Sequence, residues 1–403
     1  MTLSSPLLTA KRIVIKLGTQ IVVEPDGQLA LERLRTLMSQ CAELHRRGKE
    51  LIIVSSGAVG LGRNRLKQQG SLSLSEKQAC AAVGQSLLMD TYRQLLEPAG
   101  LVSAQVLLTA LDFADRKHYL NLQQTLETLL KWGSIPIINE NDVTSTMELQ
   151  EEGYTKGFGD NDKLSALVAG KLDADLLVIL TNVDGIYTEN PATNPNAEKI
   201  PVISAFQDLQ KIQTAGRSTL GRGGMTSKLE AARIAAISGL HTYIASGLQT
   251  EALAPLLRKD AIASGTIILP QASLAGRKRW IGAASGYHGA LIINEGARQA
   301  LIRQGASLLP VGIIGVQGDF SAQQVISIQD EQGREIGRGL SSFSSEMLRR
   351  LQGVQGKDIR TLLTTWQREI GSDSPLRDEA IHRDDLVIFE ELPAHLEHSL
   401  ESL

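Results

Sequence analysis

The chain has 403 residues, enough for two or three domains at roughly 100–200 residues each. Apolar residues make up 42% and charged residues 21%, which excludes a mainly disordered chain. The formal net charge of −3 excludes a globally basic nucleic-acid binder, and two cysteines, Cys41 and Cys80, exclude a disulfide framework or a four-thiolate zinc site.

No stretch reaches the ~18–20 uninterrupted apolar residues of a membrane span. Met1 to Ala10 lacks a cationic start followed by an apolar block, so the expectation is a cytoplasmic protein with reduced thiols. Arg12–Lys16 reads as a strand. Leu31, Leu34, Leu37, Met38, Cys41 and Leu44 recur at helical spacing, and Gly48 sits where a helix C-terminus takes a left-handed residue. The alternation continues with a strand at Leu51–Val54, a helix at Lys77–Leu96, a strand at Val102–Leu108, a helix at Lys117–Lys131 and a strand at Ile135–Ile138. After a polar gap come a helix at Lys163–Leu172, a strand at Leu176–Leu180, a helix at Ser227–Ile237 and a strand at Thr242–Ala245. The strands are short and apolar throughout, which fits strands buried on both faces. The predicted fold class is α/β, an open, mainly parallel sheet sandwiched by helices.

The rhythm changes after Lys259. Short β-like pieces follow at Ala290–Ile293, Leu308–Ile314, Val325–Ile328, Glu335–Gly339 and Leu386–Glu390. The expected organisation is an α/β domain over 1–260, a linker over 261–278, a small β-rich domain over 279–388 and a tail over 389–403.

In parallel sheets ligands bind beyond the carboxyl ends of the strands. There the first strand runs into Lys16-Leu17-Gly18-Thr19, a cation beside a backbone that a ligand can approach. Ser55-Ser56-Gly57-Ala58-Val59-Gly60 opens either an anion cradle at a helix start or an N-cap made by one of the serines. Asn139-Glu140-Asn141-Asp142 and Gly159-Asp160-Asn161-Asp162-Lys163 bring acids and amides to one sheet edge, where they can orient an amino group. The stretch Thr181-Asn182-Val183-Asp184-Gly185-Ile186-Tyr187 reads as an ordinary loop or as a wall of a nucleotide-base pocket. Gly221-Arg222-Gly223-Gly224-Met225-Thr226-Ser227-Lys228 combines close phosphate approach with a lysine at a helix start. The pattern G-x-x-x-x-G-K-[ST] is absent, which disfavours a P-loop fold, and no H-E-x-x-H or G-x-S-x-G supports a zinc or serine hydrolase. Two lysines, two glycine-bearing helix starts and one central carboxylate match the needs of phosphoryl transfer, which is mostly positioning and charge neutralisation.

These segments resemble the amino acid kinase family. The resemblance is carried by VIKLGT (14–19), SSGAVGLGR (55–63), KQACAAVGQ (77–85), AQVLLT (104–109), PIINENDV (136–143), FGDNDKLSALVA (158–169), LTNVDGIYTENP (180–191) and GRGGMTSK (221–228). RKRWIGA (277–283), ASLLPVGI (306–313), GDFSAQQVISI (318–328) and HRDDLVI (382–388) resemble a PUA domain. The resemblance implies ATP-dependent phosphorylation of the γ-carboxylate of L-glutamate to γ-glutamyl phosphate, the first step of proline biosynthesis. It implies that Lys16 and Lys228 neutralise the moving phosphoryl group and that Asp162 orients both lysines. Ser56, Gly57, Asn139, Asp142 and Asn161 would hold glutamate. Thr181, Asn182, Gly221, Arg222, Gly223, Gly224, Met225, Thr226 and Ser227, with Lys16 and Lys228, would bind ATP. Mg²⁺ would be held mainly by the nucleotide phosphates rather than by protein ligands. Proline as inhibitor, glutamyl phosphate reductase as functional partner and a homodimer or homotetramer are further implications. Gln20, Asn182 and Arg222 depart from the family pattern and bear on nucleotide affinity.

Other members of the family, acting on carbamate, acetylglutamate, aspartate or a nucleoside monophosphate, are the nearest competing readings. The PUA-like half and the paired acid/amide loops argue against them. An RNA-binding reading would use Arg277-Lys278-Arg279 and Arg349-Arg350, but the negative net charge and few aromatics argue for a small-molecule substrate.

Overall fold

A computed structural model of the chain describes residues 5–109, 111–114, 116–144, 161–189, 191, 194, 196–204, 224–260, 264–270, 281, 289–354, 359 and 378–389. The described residues gather into two compact units, one up to residue 270 and the other from residue 281.

The first unit alternates strands and helices. In chain order these are β1 (Arg12–Leu17), α1 (Leu31–Arg46), β2 (Glu50–Ser55), α2 (Ala58–Arg65), α3 (Leu74–Leu96) and β3 (Ser103–Leu108). They continue with α4 (Arg116–Lys131), β4 (Ile135–Glu140), α5 (Asn161–Lys171), β5 (Leu176–Thr181), β6 (Val202–Ile203), α6 (Met225–Ile237), β7 (His241–Ser246) and β8 (Thr266–Ile268). The strands form one eight-stranded sheet in the order β3-β4-β2-β1-β5-β7-β8-β6. Neighbours from β3 to β7 all run parallel, and β8 turns antiparallel to β7. The open, mainly parallel sheet read from the sequence is therefore the one that forms. Residues 266–268 were expected in the linker but extend the sheet, because Thr266, Ile267 and Ile268 are β-branched and wholly buried. The run is too short to show a period.

Each strand feeds both layers. Ile13, Ile15 and Leu17 pack into a core with Leu34, Leu37 and Met38 of α1 and Leu88 and Tyr92 of α3. Helix α3 starts at a capping box, with Ser73 and Glu76 satisfying each other's backbone N–H. Helix α5 is buried almost all round, which suits a helix held between the sheet and α6.

The second unit is a five-stranded sheet in the order β10-β9-β11-β12-β13, with β9 (Ala290–Ile293), β10 (Ile313–Gln317), β11 (Val325–Gln329), β12 (Glu335–Leu340) and β13 (Leu386–Ile388). Only β9 and β11 pair in parallel. Its core is Leu291, Ile293, Ile326, Ile328 and Ile336 with Leu301 and Leu348. The last two come from helices α7 (Glu295–Gln304) and α8 (Ser345–Leu351), which the short apolar pieces of this half did not announce. The expected strand at Leu308–Ile314 begins only at Ile313, because Pro310 opens a 3₁₀ turn in front of it. Residues 271–280, which include the basic cluster 277–279, and the tail from 390 onward lie outside the described residues.

Candidate active site

Period-2 alternation sends Lys16 to the face of β1 opposite Ile15 and Leu17. That is the face of α5, whose first turn presents Asp162 with no exposed surface. Lys16 Nζ pairs with Asp162 Oδ1. Lys228 Nζ, from the first turn of α6, lies 3.1 Å from Oδ2, to which Ser227 Oγ also donates at 2.9 Å. Burial alone would raise the carboxyl pKa, but the two ammonium groups outweigh it and hold Asp162 below the usual carboxylate range. One carboxylate facing two ammonium groups leaves an excess of positive charge, and both lysines line a cavity of about 420 Å³.

The cavity lies outside the carboxyl ends of β1, β2, β4 and β5, where the sheet order turns from β2 on one side of β1 to β5 on the other. After β2, Gly57 adopts φ +103°, and a Cβ there would come within 2.9 Å of Val23 Cγ2. Neither serine caps α2. Ser55 Oγ pairs with the Tyr92 hydroxyl at 2.7 Å, and Ser56 Oγ accepts from Asn161 Nδ2 at 3.0 Å. The first turn of α2 therefore has no side-chain cap, and Ala58, Val59 and Gly60 line the cavity with it. This is the arrangement in which backbone N–H groups receive an anion.

Two helix pairs bring these pieces close. A Cβ on Gly84 of α3 would stand 1.8 Å from the Ala58 carbonyl oxygen, and one on Gly62 would stand 1.8 Å from that of Cys80. Only hydrogen fits at either crossing point. Between α5 and the end of α6, a Cβ on Gly170 would meet Ser238 Oγ at 2.7 Å.

Of the residues expected to hold an amino acid, Ser56, Gly57, Asn139, Asp142 and Asn161 all line the cavity. Asn161 Nδ2 donates to the Ser55 carbonyl at 2.7 Å and to Asn139 Oδ1 at 2.8 Å, while its own Oδ1 is buried without a partner. Asp142 is pushed up to about 6 by burial and by the neighbouring charge of Glu140. Of the residues expected to hold a nucleotide, Lys16, Thr181, Asn182 and Lys228 line the cavity. Gly224, Met225 and Thr226 lead into or open α6 beside them, and Ser227 turns its hydroxyl onto Asp162. Gly221, Arg222 and Gly223 lie outside the described residues, as do Asp160 and Asn190. In the loop after β5, Asp184 accepts from the Tyr187 hydroxyl at 2.9 Å and from Lys199 Nζ at 2.7 Å, so these side chains tie the loop to itself.

The sequence reading placed Thr19 and Glu140 only within strand-end motifs, gave Gln20 a bearing on nucleotide affinity, and assigned no role to Gln85 or Tyr92. The first three line the cavity. Gln85 and Tyr92 lie behind it on one buried face of α3, seven residues apart with Leu88 between them. A glutamine on the apolar face of a helix is the signal that could have found the network, since a buried amide needs a partner.

Among the described residues no group of three or more His, Cys, Asp or Glu could hold a metal ion, and Asp162 is already engaged by two lysines and a serine.

The model of the amino acid kinase family matches residues 11–246, and that of the PUA domain matches residues 289–363. The chain is 40% identical over 382 residues to the glutamate 5-kinase of Caldanaerobacter subterraneus subsp. tengcongensis, covering 94% of this chain and 98% of that one. It is 39% identical over 394 residues to the glutamate 5-kinase of Bradyrhizobium diazoefficiens, covering 96% of this chain and 100% of that one. Among solved structures, the carbamate kinase from Giardia lamblia bound to AMP-PNP is similar with a TM-score of 0.49 and 18% identity, over 65% of this chain and 99% of that one. The UMP kinase from Bacillus anthracis is similar with a TM-score of 0.46 and 17% identity, over 66% of this chain and 98% of that one. With a parallel sheet that gathers two lysines on one buried carboxylate, and a PUA domain later in the sequence, the chain belongs to the amino acid kinase family and is a phosphotransferase.

Proposed function

We propose that the chain transfers the γ-phosphoryl group of ATP to the γ-carboxylate of L-glutamate, the glutamate 5-kinase reaction. A carboxylate oxygen attacks the γ-phosphorus, the bond to the β–γ bridging oxygen breaks, and γ-glutamyl phosphate and ADP result. The single observation that carries the chemistry is Asp162 held between Lys16 and Lys228 at the cavity floor. Asp162 fixes both ammonium groups before substrate arrives, so they stabilise the equatorial oxygens of the moving phosphoryl group without reorganising. Lys16 and Lys228 also touch the nucleotide, with Thr181, Asn182 and the segment Gly221 to Ser227. Mg²⁺ supplies further charge neutralisation while carried on the nucleotide phosphates.

The amino acid is read by acceptors and by backbone. Asp142 takes the ammonium group, while Ser56, Gly57, Asn139 and Asn161 shape the site beside the open turn of α2. The names of the relatives at 39–40% identity support glutamate over the other substrates of the family. Proline carries the same ammonium–carboxylate pair and would compete for these groups. We assign catalysis to residues 1–260 and a separate module to 279–388.

A panel of glutamate, aspartate, acetylglutamate, carbamate and UMP with ATP and Mg²⁺ tests the reading. ADP release with glutamate alone, reduced competitively by proline, is the expected outcome. Turnover of aspartate or UMP and not glutamate overturns it.

A further inference from the structure

The peptide between Ser56 and Gly57 is held by a side chain. Ser55 Oγ stands 2.7 Å from the Tyr92 hydroxyl and 3.3 Å from the Ser56 carbonyl oxygen. Ser55 and Tyr92 are both wholly buried. Among the described residues the Tyr92 hydroxyl has no acceptor other than Ser55 Oγ, so it donates there, and the Ser55 proton goes on to the Ser56 carbonyl. Tyr92 belongs to α3, in the core that also holds Leu51, Ile53 and Leu88. From the other face of the sheet Asn161 of α5 reaches Ser56 Oγ at 3.0 Å. The Ser56–Gly57 bond is trans, so its C=O and N–H point in opposite directions. With the carbonyl drawn toward α3, the Gly57 N–H is sent to the side of α5 and of the cavity, which Gly57 lines. Nothing among the described residues accepts from that N–H.

The local backbone leaves this plane free to turn over. Gly57 sits at φ +103° and ψ −1°. With ψ near 0° a glycine takes φ of either sign at similar cost, so the Ser56–Gly57 plane can rotate while the chain on both sides stays in place. The turned plane would aim the Ser56 carbonyl oxygen at the cavity in place of the Gly57 N–H. An oxygen there repels the carboxylate that an N–H receives. We propose that Ser55 is a positioning residue for substrate binding: its hydroxyl, oriented by Tyr92, holds the Ser56–Gly57 plane so that the cavity offers a backbone donor to a carboxylate of the amino acid. The role belongs to the Ser55 hydroxyl proton. A variant that keeps this donor keeps the plane, and one that removes it releases the plane.

The inference rests on glutamate being the substrate, and the test separates the two. Crystal structures and steady-state kinetics are obtained for the wild type, Ser55→Ala and Tyr92→Phe. Ligand-free Ser55→Ala is expected to show the Ser56 carbonyl turned to the cavity and Gly57 at negative φ. Its KM for glutamate rises roughly tenfold, as for loss of one hydrogen bond to a charged group, while kcat and the KM for ATP stay near wild type. Tyr92→Phe breaks the same buried hydroxyl pair but leaves the Ser55 proton on the Ser56 carbonyl. It keeps the observed plane and a glutamate KM within about twofold. A plane unchanged in Ser55→Ala, an unchanged glutamate KM, or equal weakening in Tyr92→Phe overturns the proposal. Should Ser55→Ala not fold, the wild type crystallised with glutamate decides, and a Gly57 nitrogen out of hydrogen-bond reach of both carboxylates overturns it. A wild type that turns over another substrate and not glutamate overturns the substrate reading, while the ligand-free Ser55→Ala structure still reports on the plane.

Discussion

Lys228 Nζ stands 3.1 Å from Asp162 Oδ2, and Lys16 holds the other oxygen of the same buried carboxylate. Removing each partner therefore has a different consequence. Lys228→Met leaves one cation on one anion, a balanced pair, so the fold survives while kcat falls by about 10²–10³. Asp162→Asn leaves two buried ammonium groups with no counter-charge and costs about 3–5 kcal/mol of stability. Thermal melts of the two variants beside their kinetics check the order. A melting temperature lower for Lys228→Met than for Asp162→Asn would contradict it.

Asp142 titrates at about 6 in the folded protein against about 3.9 in an unfolded chain, because burial and Glu140 disfavour its charge. The folded state thus holds the proton more tightly, and the group's destabilising effect grows from pH 4 and is complete above about pH 6. Asp142→Asn is expected to raise the melting temperature of the ligand-free protein at pH 8 and leave it unchanged at pH 4. It weakens glutamate far more than ATP. In the wild type, glutamate KM rises as pH falls through about 6, and the variant loses that dependence.

Lys171 ends α5 with its Nζ over the Tyr119 ring, 2.8 Å from the ring centroid, and with no hydrogen-bond partner. Burial brings its pKa down to about 7, with the Glu127 charge opposing. The unfolded chain binds this proton up to about pH 10.4, so the penalty is full below about pH 7 and fades as pH rises. Lys171→Met is expected to raise the melting temperature at pH 6 and to raise it less at pH 10. An equal gain at both values would remove Lys171 as the cause.

The α2–α3 crossing admits no side chain. Gly84→Ala drives a methyl into the Ala58 carbonyl oxygen, which belongs to backbone and cannot rotate away. Helix α2 must shift, and Gly57 to Gly60 shift with it. A destabilisation of about 1–3 kcal/mol by denaturant unfolding, with loss of substrate affinity, is the expected result.

The layered α/β architecture was legible because period and burial agree: Ile13, Ile15 and Leu17 alternate with Val14 and Lys16, yet all are buried, so no polar face interrupts the strand. Lysines 16 and 228 and Asp162 were legible as strand-end and helix-start residues. What the sequence left open was which serine does what. Ser55 and Ser56 both qualify as helix caps by type, and only the approach of Tyr92 and Asn161 shows that neither is one. Gln85 and Tyr92 escaped because their partners, Asn139 and Ser55, lie on strands distant in sequence. The helices of the second unit, α7 and α8, were missed beside stronger apolar strand signals such as Ile326 and Ile328.

The buried carboxylate also has a consequence for how the chain comes to be folded. The carboxylate and its two lysines lie at residues 162, 16 and 228, in three segments with two long stretches between them. Asp175 is similarly remote from the Lys11 and Arg12 backbone N–H groups it receives. Such contacts arrive late and together. A nascent chain that has left the ribosome only as far as α5 carries Asp162 without Lys228, and β1 in the middle of its sheet still lacks its neighbour β5 and, beyond that, β7. The first unit is therefore expected to close only once α6 and β7 are available, and fragments ending before them to lack the Lys228 partner of the buried carboxylate.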